Sequence, residues 1–287
     1  MPFFLAIIVI FSSFVIQASN EELITINTIG PQKQNDASHD YFVSLLSLAL
    51  NAHDDNKSYQ IKTLPHAGQA RAVKLIEQGL YYDVIWSGYS AERSKNLIRV
   101  PFPLFLGGLG IRGAIIRKSD SSYARLNTLE ELREKIICQG LNWPDAKILQ
   151  RAKLKVVEVG HFDAMLEMVS LKRCDLLPLS IFEGQSELNA VQASFPNLTF
   201  STEVLLSYYL EMNFYLNKTN QALAEQIHLG LKKIANNGQL KQFMGQHPLT
   251  QNAFPLSNYQ HSTSIDIESG IVPDLQSIFY NNLRNKN

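Results

Sequence analysis

DVIWSGYSAERSKNLIRVPFPLFLGGLGIRGAIIRK, residues 83–118, decides how this chain is built. It opens on a short apolar strand, Asp83 to Trp86, that stops at Ser87-Gly88. A polar segment carrying Arg93 follows. The chain then leaves through Gly107-Gly108 into a second extended apolar run, Ile111 to Arg117. A strand, a glycine-rich exit and a fresh strand mark the passage from one structural unit to the next.

Upstream, strand and helix signals alternate. Leu23 to Thr28 reads as a strand. Ser38 to Ala52 reads as a helix, with Phe42, Leu45, Leu46, Ala49 and Leu50 on one face. Tyr59 to Leu64 is a strand, and Gln69 to Gln78 is a helix stopped by Gly79. A βαβαβ run of this kind predicts a parallel sheet flanked by helices.

Downstream the pattern repeats. Thr128-Leu129-Glu130-Glu131 is a capping box. Strand Ile136 to Gln139, a helix opened by Asn142 as N-cap, and strand Lys155 to Val159 come next. Helix Phe162 to Lys172 and strand Cys174 to Pro178 complete the unit. Val204 to Leu216 reads as one long strand, followed by helices Gln221 to Asn237 and Gln239 to Gly245, with Gly238 between them. LSNYQHSTSID, residues 256–266, reads as a polar loop. The expected fold is α/β and two-lobed, with two crossing segments and a C-terminal tail on the first lobe. Lobe 1 comprises residues 19–108 plus 206–287, and lobe 2 residues 109–205.

The first twenty residues carry no charge. Phe3 to Ile16 is an apolar run leading into Ile16-Gln17-Ala18, the layout of a secretory leader cleaved after Ala18. The run is shorter than the roughly 20 apolar residues of a membrane span. These features imply an exported, periplasmic protein, and an uncleaved anchor is the alternative. Lys+Arg and Asp+Glu both number 26 in 287 residues, so the basic stripe of a nucleic-acid binder is missing. The seven histidines show no H-x-x-x-H or H-x-H spacing, so no metal site is expected. Neither G-x-S-x-G nor a P-loop occurs. No enzyme activity and no cofactor is expected. Export would permit a disulfide between Cys138 and Cys174, but if their strands are parallel neighbours the two lie at opposite ends of the sheet, beyond the roughly 7 Å that a bridge allows, and two buried thiols are the expected state.

Three stretches carry a resemblance: Trp86 to Arg93, Pro103 to Arg112, and the turn Gly140-Leu141-Asn142-Trp143-Pro144-Asp145. In order and spacing they resemble the family-3 solute-binding proteins of the type II periplasmic-binding fold, in a divergent branch. The resemblance implies a small carboxylate-bearing, amino-acid-like ligand held between the lobes of a monomer, which serves a membrane permease or a sensor. It implies that Arg93 takes the ligand carboxylate, as a planar guanidinium pairing in bidentate fashion. Ser87, Gly88 and Ser90 would add donors. Asn142 and Trp143 would meet the ligand from the helix start on the other side. In such proteins an Asp usually takes the ligand ammonium where this chain has Ser180, and the branch often has Arg where this chain has Leu179. Glu183 is the candidate substitute anion.

Each candidate has a plainer reading. Arg93 could lie on an exposed helix turn beside Glu92, Trp143 could pack in the core, and Glu183 could be a first-turn helix residue. The two departures favour a second function: a signalling or scaffold protein whose pocket has degenerated and whose surface meets a membrane partner.

Overall fold

A computed structural model describes residues 22–31, 36–53 and 57–267; the expected leader lies outside them. Strand β1 (Glu22–Ile29) leads into helix α1 (Ala37–Leu50). The Asp36 carboxylate caps α1 by accepting from His39 N, and Tyr41, Phe42, Leu45, Leu46, Ala49 and Leu50 form its buried face. Strand β2 (Lys57–Leu64), helix α2 (Gln69–Glu77) and strand β3 (Val84–Gly88) follow. Gly79, just beyond α2, has the left-handed φ of +69° that a helix C-terminus often needs. Helix α3 (Ala91–Asn96) and strand β4 (Leu97–Arg99) end this unit.

The second unit starts with β5 (Ile111–Arg117), buried along its whole length. Helix α4 (Leu129–Arg133) carries the expected capping box between Thr128 and Glu131. Then come β6 (Ile136–Gly140), α5 (Pro144–Arg151), β7 (Lys155–Val159), α6 (Phe162–Ser170), β8 (Leu177–Ser180), α7 (Gly184–Val191) and β9 (Leu198–Ser207). The chain returns through β10 (Met212–Asn217), α8 (Gln221–Asn236), α9 (Gln239–Gln246) and β11 (Thr263–Asp266).

One sheet has the order β2-β1-β3-β10-β4, and a second has β11-β9-β5-β8. β1, β2 and β3 run parallel, while β10 is antiparallel to β3 and β4. β6 and β7 are a parallel pair joined to the second sheet by the bridge Ile137–Leu176. This is the expected two-lobed α/β architecture. Two segments cross between the lobes, and they touch where Tyr208 N donates to Gly110 O at 3.2 Å. A Cβ on Gly110 would fall on the Tyr208 carbonyl, so glycine permits the close approach. Helix α8 packs on α1, whereas the tail, expected on the first lobe, adds β11 to the second sheet beside β9 and meets α7 where the Ser186 hydroxyl donates to Pro248 O and Leu249 O.

Four expectations need correction. Val204 to Leu216 is not one strand: β9 and β10 belong to different sheets, and Tyr208 to Glu211 is the return crossing. The polar segment 256–266 is not all loop. It holds β11, which lies parallel to β9 and buries Ile265 alone of its four residues. Asn142 is not the N-cap of α5. It takes a left-handed φ of +65°, and Trp143 holds the cap position with Pro144 in the first turn. Cys138 and Cys174 form a disulfide, with Cα atoms 5.7 Å apart. Cys174 precedes its strand, in a turn after α6 where Cys174 N donates to Met168 O, and this turn folds back against the middle of β6.

Candidate ligand-binding cleft

A cavity of about 310 Å³ lies between the lobes, at the low end of the roughly 300–1,000 Å³ usual for small-molecule sites. It opens where β1 and β3 end and α1 and α2 begin, the crevice that α/β sheets offer to ligands. His39, Phe42, Gln69, Trp86 and Gly88 line it from the first lobe. Arg112, Trp143, Asp145, Phe162, Glu183 and Glu187 line it from the second, with Leu210 and Met212 at the return crossing.

Arg112 organises the second-lobe wall. It is the second residue of β5, and the β5–β9 register shifts between Arg112 and Ala114. Such a bulge can re-aim a side chain. Arg112 Nη2 stands 3.1 Å from Asp145 Oδ2, and Nη1 stands 3.8 Å from Glu183 Oε2. Asp145 Oδ2 also accepts from Gln139 Nε2 at 2.8 Å and from Tyr208 OH at 3.2 Å. The guanidinium carbon lies 5.8 Å from the Tyr208 ring centre, in cation–π range. Arg112 and Asp145 are almost wholly buried, so each charge depends on the other.

Glu183 is the loosest member. Its side chain is 17% exposed, and among the described residues its carboxylate accepts no hydrogen bond. Burial raises the carboxyl to about 7; Arg112 pulls it down, and Glu187 and Asp145 push it up. An unfolded chain releases this proton near 4.5. Between those values the native state holds more protons than the unfolded state, so this group's contribution to stability falls as pH rises. Glu183→Gln should therefore stabilise the empty protein at pH 8 by up to about 3 kcal/mol and have little effect near pH 4.5. Urea unfolding at both pH values checks this, and an equal shift at the two would refute it.

The first-lobe wall is aromatic. Trp86 stacks on Phe42 with centroids 5.0 Å apart, and His39 meets Trp86 edge-on at 5.6 Å. A His39 ring nitrogen pairs with Ile29 O at 3.0 Å, and one of His66 pairs with Gly30 O at 3.0 Å.

The structure brings Gly88, Trp143 and Glu183 together at the cavity. Arg93, Ser87, Ser90 and Asn142 do not line it. Arg93 Nη1 donates to Gly88 O at 2.6 Å, within its own loop. Ser87 is fully buried beneath Gln69, whose Nε2 donates to its hydroxyl at 2.9 Å. Ser90 caps α3 by accepting from Arg93 N. Asn142 N donates to Glu158. Tyr41 is core: it stacks on Phe105 at 4.9 Å and donates to Leu104 O. Sequence reasoning did not single out Arg112, Asp145, Phe42 or Trp86 for the site. The available signal for Arg112 was a lone charge in the apolar run Leu104 to Ile116, which forces a buried partner. The letters Gly108-Leu109-Gly110-Ile111-Arg112-Gly113 also spell G-x-G-x-x-G. They lead into strand β5 instead of opening a helix, so they make no phosphate cradle.

Two α/β lobes, two adjacent crossings and a cleft at the strand ends define the type II periplasmic-binding-protein fold. No family model and no curated protein matches the sequence. Among solved structures, the chain resembles the probable amino-acid ABC transporter extracellular-binding protein ytmK of Bacillus subtilis. The TM-score is 0.59 at 16% identity, over 79% of this chain and 97% of that one. It also resembles a histidine kinase sensor domain with similarity to periplasmic binding proteins (TM-score 0.56, 15% identity, 79% and 95% covered). An ancestral arginine-binding protein bound to arginine matches at TM-score 0.52 and 16% identity, over 79% and 98%.

Proposed function

We propose that this is an exported solute-binding protein, with lobes of residues 19–108 plus 206–287 and 109–205, that closes over a small amino-acid-like solute. The leader is removed near Ala18, the mature monomer works in the periplasm, and the loaded form is read by a membrane permease. No covalent step is involved. The observation that carries the reading is the cavity of about 310 Å³, walled by aromatic side chains from one lobe and an ion network from the other. A solute touching both walls favours the closed arrangement, so binding shifts an open–closed equilibrium at the crossings. The printed descriptions of the structural neighbours, an amino-acid transporter component and an arginine binder, support the same class. The sequence resemblance gave the solute's carboxylate to Arg93; with that guanidinium engaged at Gly88 O, we leave the role unassigned.

A ligand that binds only the native state raises its apparent stability. Thermal unfolding with millimolar amino acids and organic acids should therefore reveal at least one solute that raises the melting temperature. Small-angle scattering should show contraction with the same solute. No shift across the panel would overturn the reading. Such silence would favour the second one, a sensor or scaffold with a self-filled pocket. That reading draws on Arg112 being matched by the chain's own carboxylates and on Leu179 and Ser180 standing where the sequence resemblance leads to the expectation of Arg and Asp.

A further inference from the structure

We infer that the cleft selects a solute bearing a cationic amine or guanidinium at the end of an apolar or flat body, in addition to any α-ammonium, and that Glu183 is the counter-ion of that terminal cation. This rests on the solute-binding reading and narrows it.

The charge inventory of the wall points that way. Arg112 is the sole Lys or Arg among the described lining residues. It is committed to Asp145 at 3.1 Å and is 5% exposed, so it offers little to an incoming carboxylate. Arg93 does not reach the cavity. Four carboxyl groups line it, those of Asp36, Asp145, Glu183 and Glu187. Asp36 caps α1, Asp145 holds Arg112, and Glu187 accepts from the Ser38 hydroxyl at 3.2 Å. Glu183 differs from these three. Its carboxylate lines the cavity without an accepted hydrogen bond among the described residues, and Arg112 stays 3.8 Å away. A carboxylate so placed has room for a donor brought by the solute, and charged hydrogen bonds are the strong ones. Phe42, Trp86, Trp143 and Phe162 also line the cavity, and aromatic faces attract cations.

The same placement predicts a coupling to pH. The charged or titratable groups that bear on Glu183 are Arg112 on β5, Asp145 on α5, Glu187 on α7 and Tyr41 on α1, and His39 and His66 line the same cavity from the first lobe. With the cleft empty, burial leaves the carboxyl partly protonated near pH 7. A cation beside it expels that proton. Affinity for a permanently charged cation should thus rise as pH climbs through 7, whereas affinity for a neutral solute should not.

The test is calorimetric titration of the mature protein with lysine and arginine, set against norleucine, glutamine and glutamate, at pH 5.5 and 8. Lysine or arginine should bind at least tenfold more tightly than norleucine. That affinity should tighten about tenfold or more between the two pH values, with proton release read from buffers of different ionisation enthalpy. Glu183→Gln should lose at least tenfold in affinity at pH 8 together with the pH dependence. Its unfolding curve, expected to shift to higher stability at pH 8, shows that the variant folds. Norleucine, glutamine or glutamate binding as tightly as lysine would overturn the inference while leaving the solute-binding reading intact. So would unchanged lysine affinity in Glu183→Gln. If no probe binds in calorimetry or shifts thermal unfolding, both fall.

Discussion

Arg112→Met is expected to lower folding stability by about 3–5 kcal/mol at neutral pH, the usual cost of stranding one member of a buried ion pair. The guanidinium is 5% exposed and its partner Asp145 is 2% exposed. Removing the cation leaves Asp145 with the neutral donors of Gln139 and Tyr208 and no opposite charge among the side chains that hold it. Methionine fills much of the volume without supplying a donor. Glu183 would respond as well. Arg112 is the influence that pulls its carboxyl down, so without it the group would hold its proton to higher pH. Arg112→Met/Asp145→Asn should recover part of the loss, because the double change removes the stranded charge. Denaturant unfolding of these two variants together with Asp145→Asn and the wild type forms a double-mutant cycle. A cost below about 1 kcal/mol for the single variant, the range of exposed pairs, would mean that the network is open to water.

That network also marks how far the sequence could be read. The βαβαβ run, the Thr128 capping box and the stop at Gly79 are local features, set by residues a few positions apart, and all three are present. The break inside Val204 to Leu216 is different. Most residues there suit a strand, and the run is divided between two sheets where it passes the other crossing segment at Gly110. β11 escapes a periodicity reading because it inserts one apolar side chain, Ile265, into the core and leaves its neighbours outward. Asn142 has the chemistry of a cap, but its positive φ moves the helix start one residue on, to Trp143.

At the site the division is the same. Trp143, Gly88 and Glu183 lie in the stretches that drew attention, and they line the cavity. Arg93 lies on the loop and helix after β3, where its guanidinium donates to Gly88 O, and it does not line the cavity. Arg112 and Asp145 lie 33 positions apart, joined by a bulge and a helix start that no spacing rule connects.

Cys138→Ser/Cys174→Ser, or reduction of the wild type, should cost about 4 kcal/mol by chain entropy, since the bridge closes a loop with a sequence separation of 36. In a domain of this size that corresponds to a fall of about 8–16 °C in melting temperature. The location makes the loss local as well as global. β6 and β7 form a two-stranded pair whose backbone link to the second sheet is the Ile137–Leu176 bridge and the bonds around it. The disulfide ties the middle of β6 to the turn before β8. Arg117 grips that turn from the other side, donating to Val169 O and Cys174 O at 2.8 Å. Both β6 and that turn lead towards the cleft, β6 through Trp143 and Asp145, and β8 through Leu179 and Glu183. Hydrogen exchange should therefore quicken first in β6 and β7 of the reduced protein, while β1 to β3 keep their protection. A reduced protein that melts within about 2 °C of the oxidised form would show that the bridge adds little to a turn already held by Arg117. A large drop would couple the second-lobe wall of the cleft to an oxidising compartment, where such a bond persists.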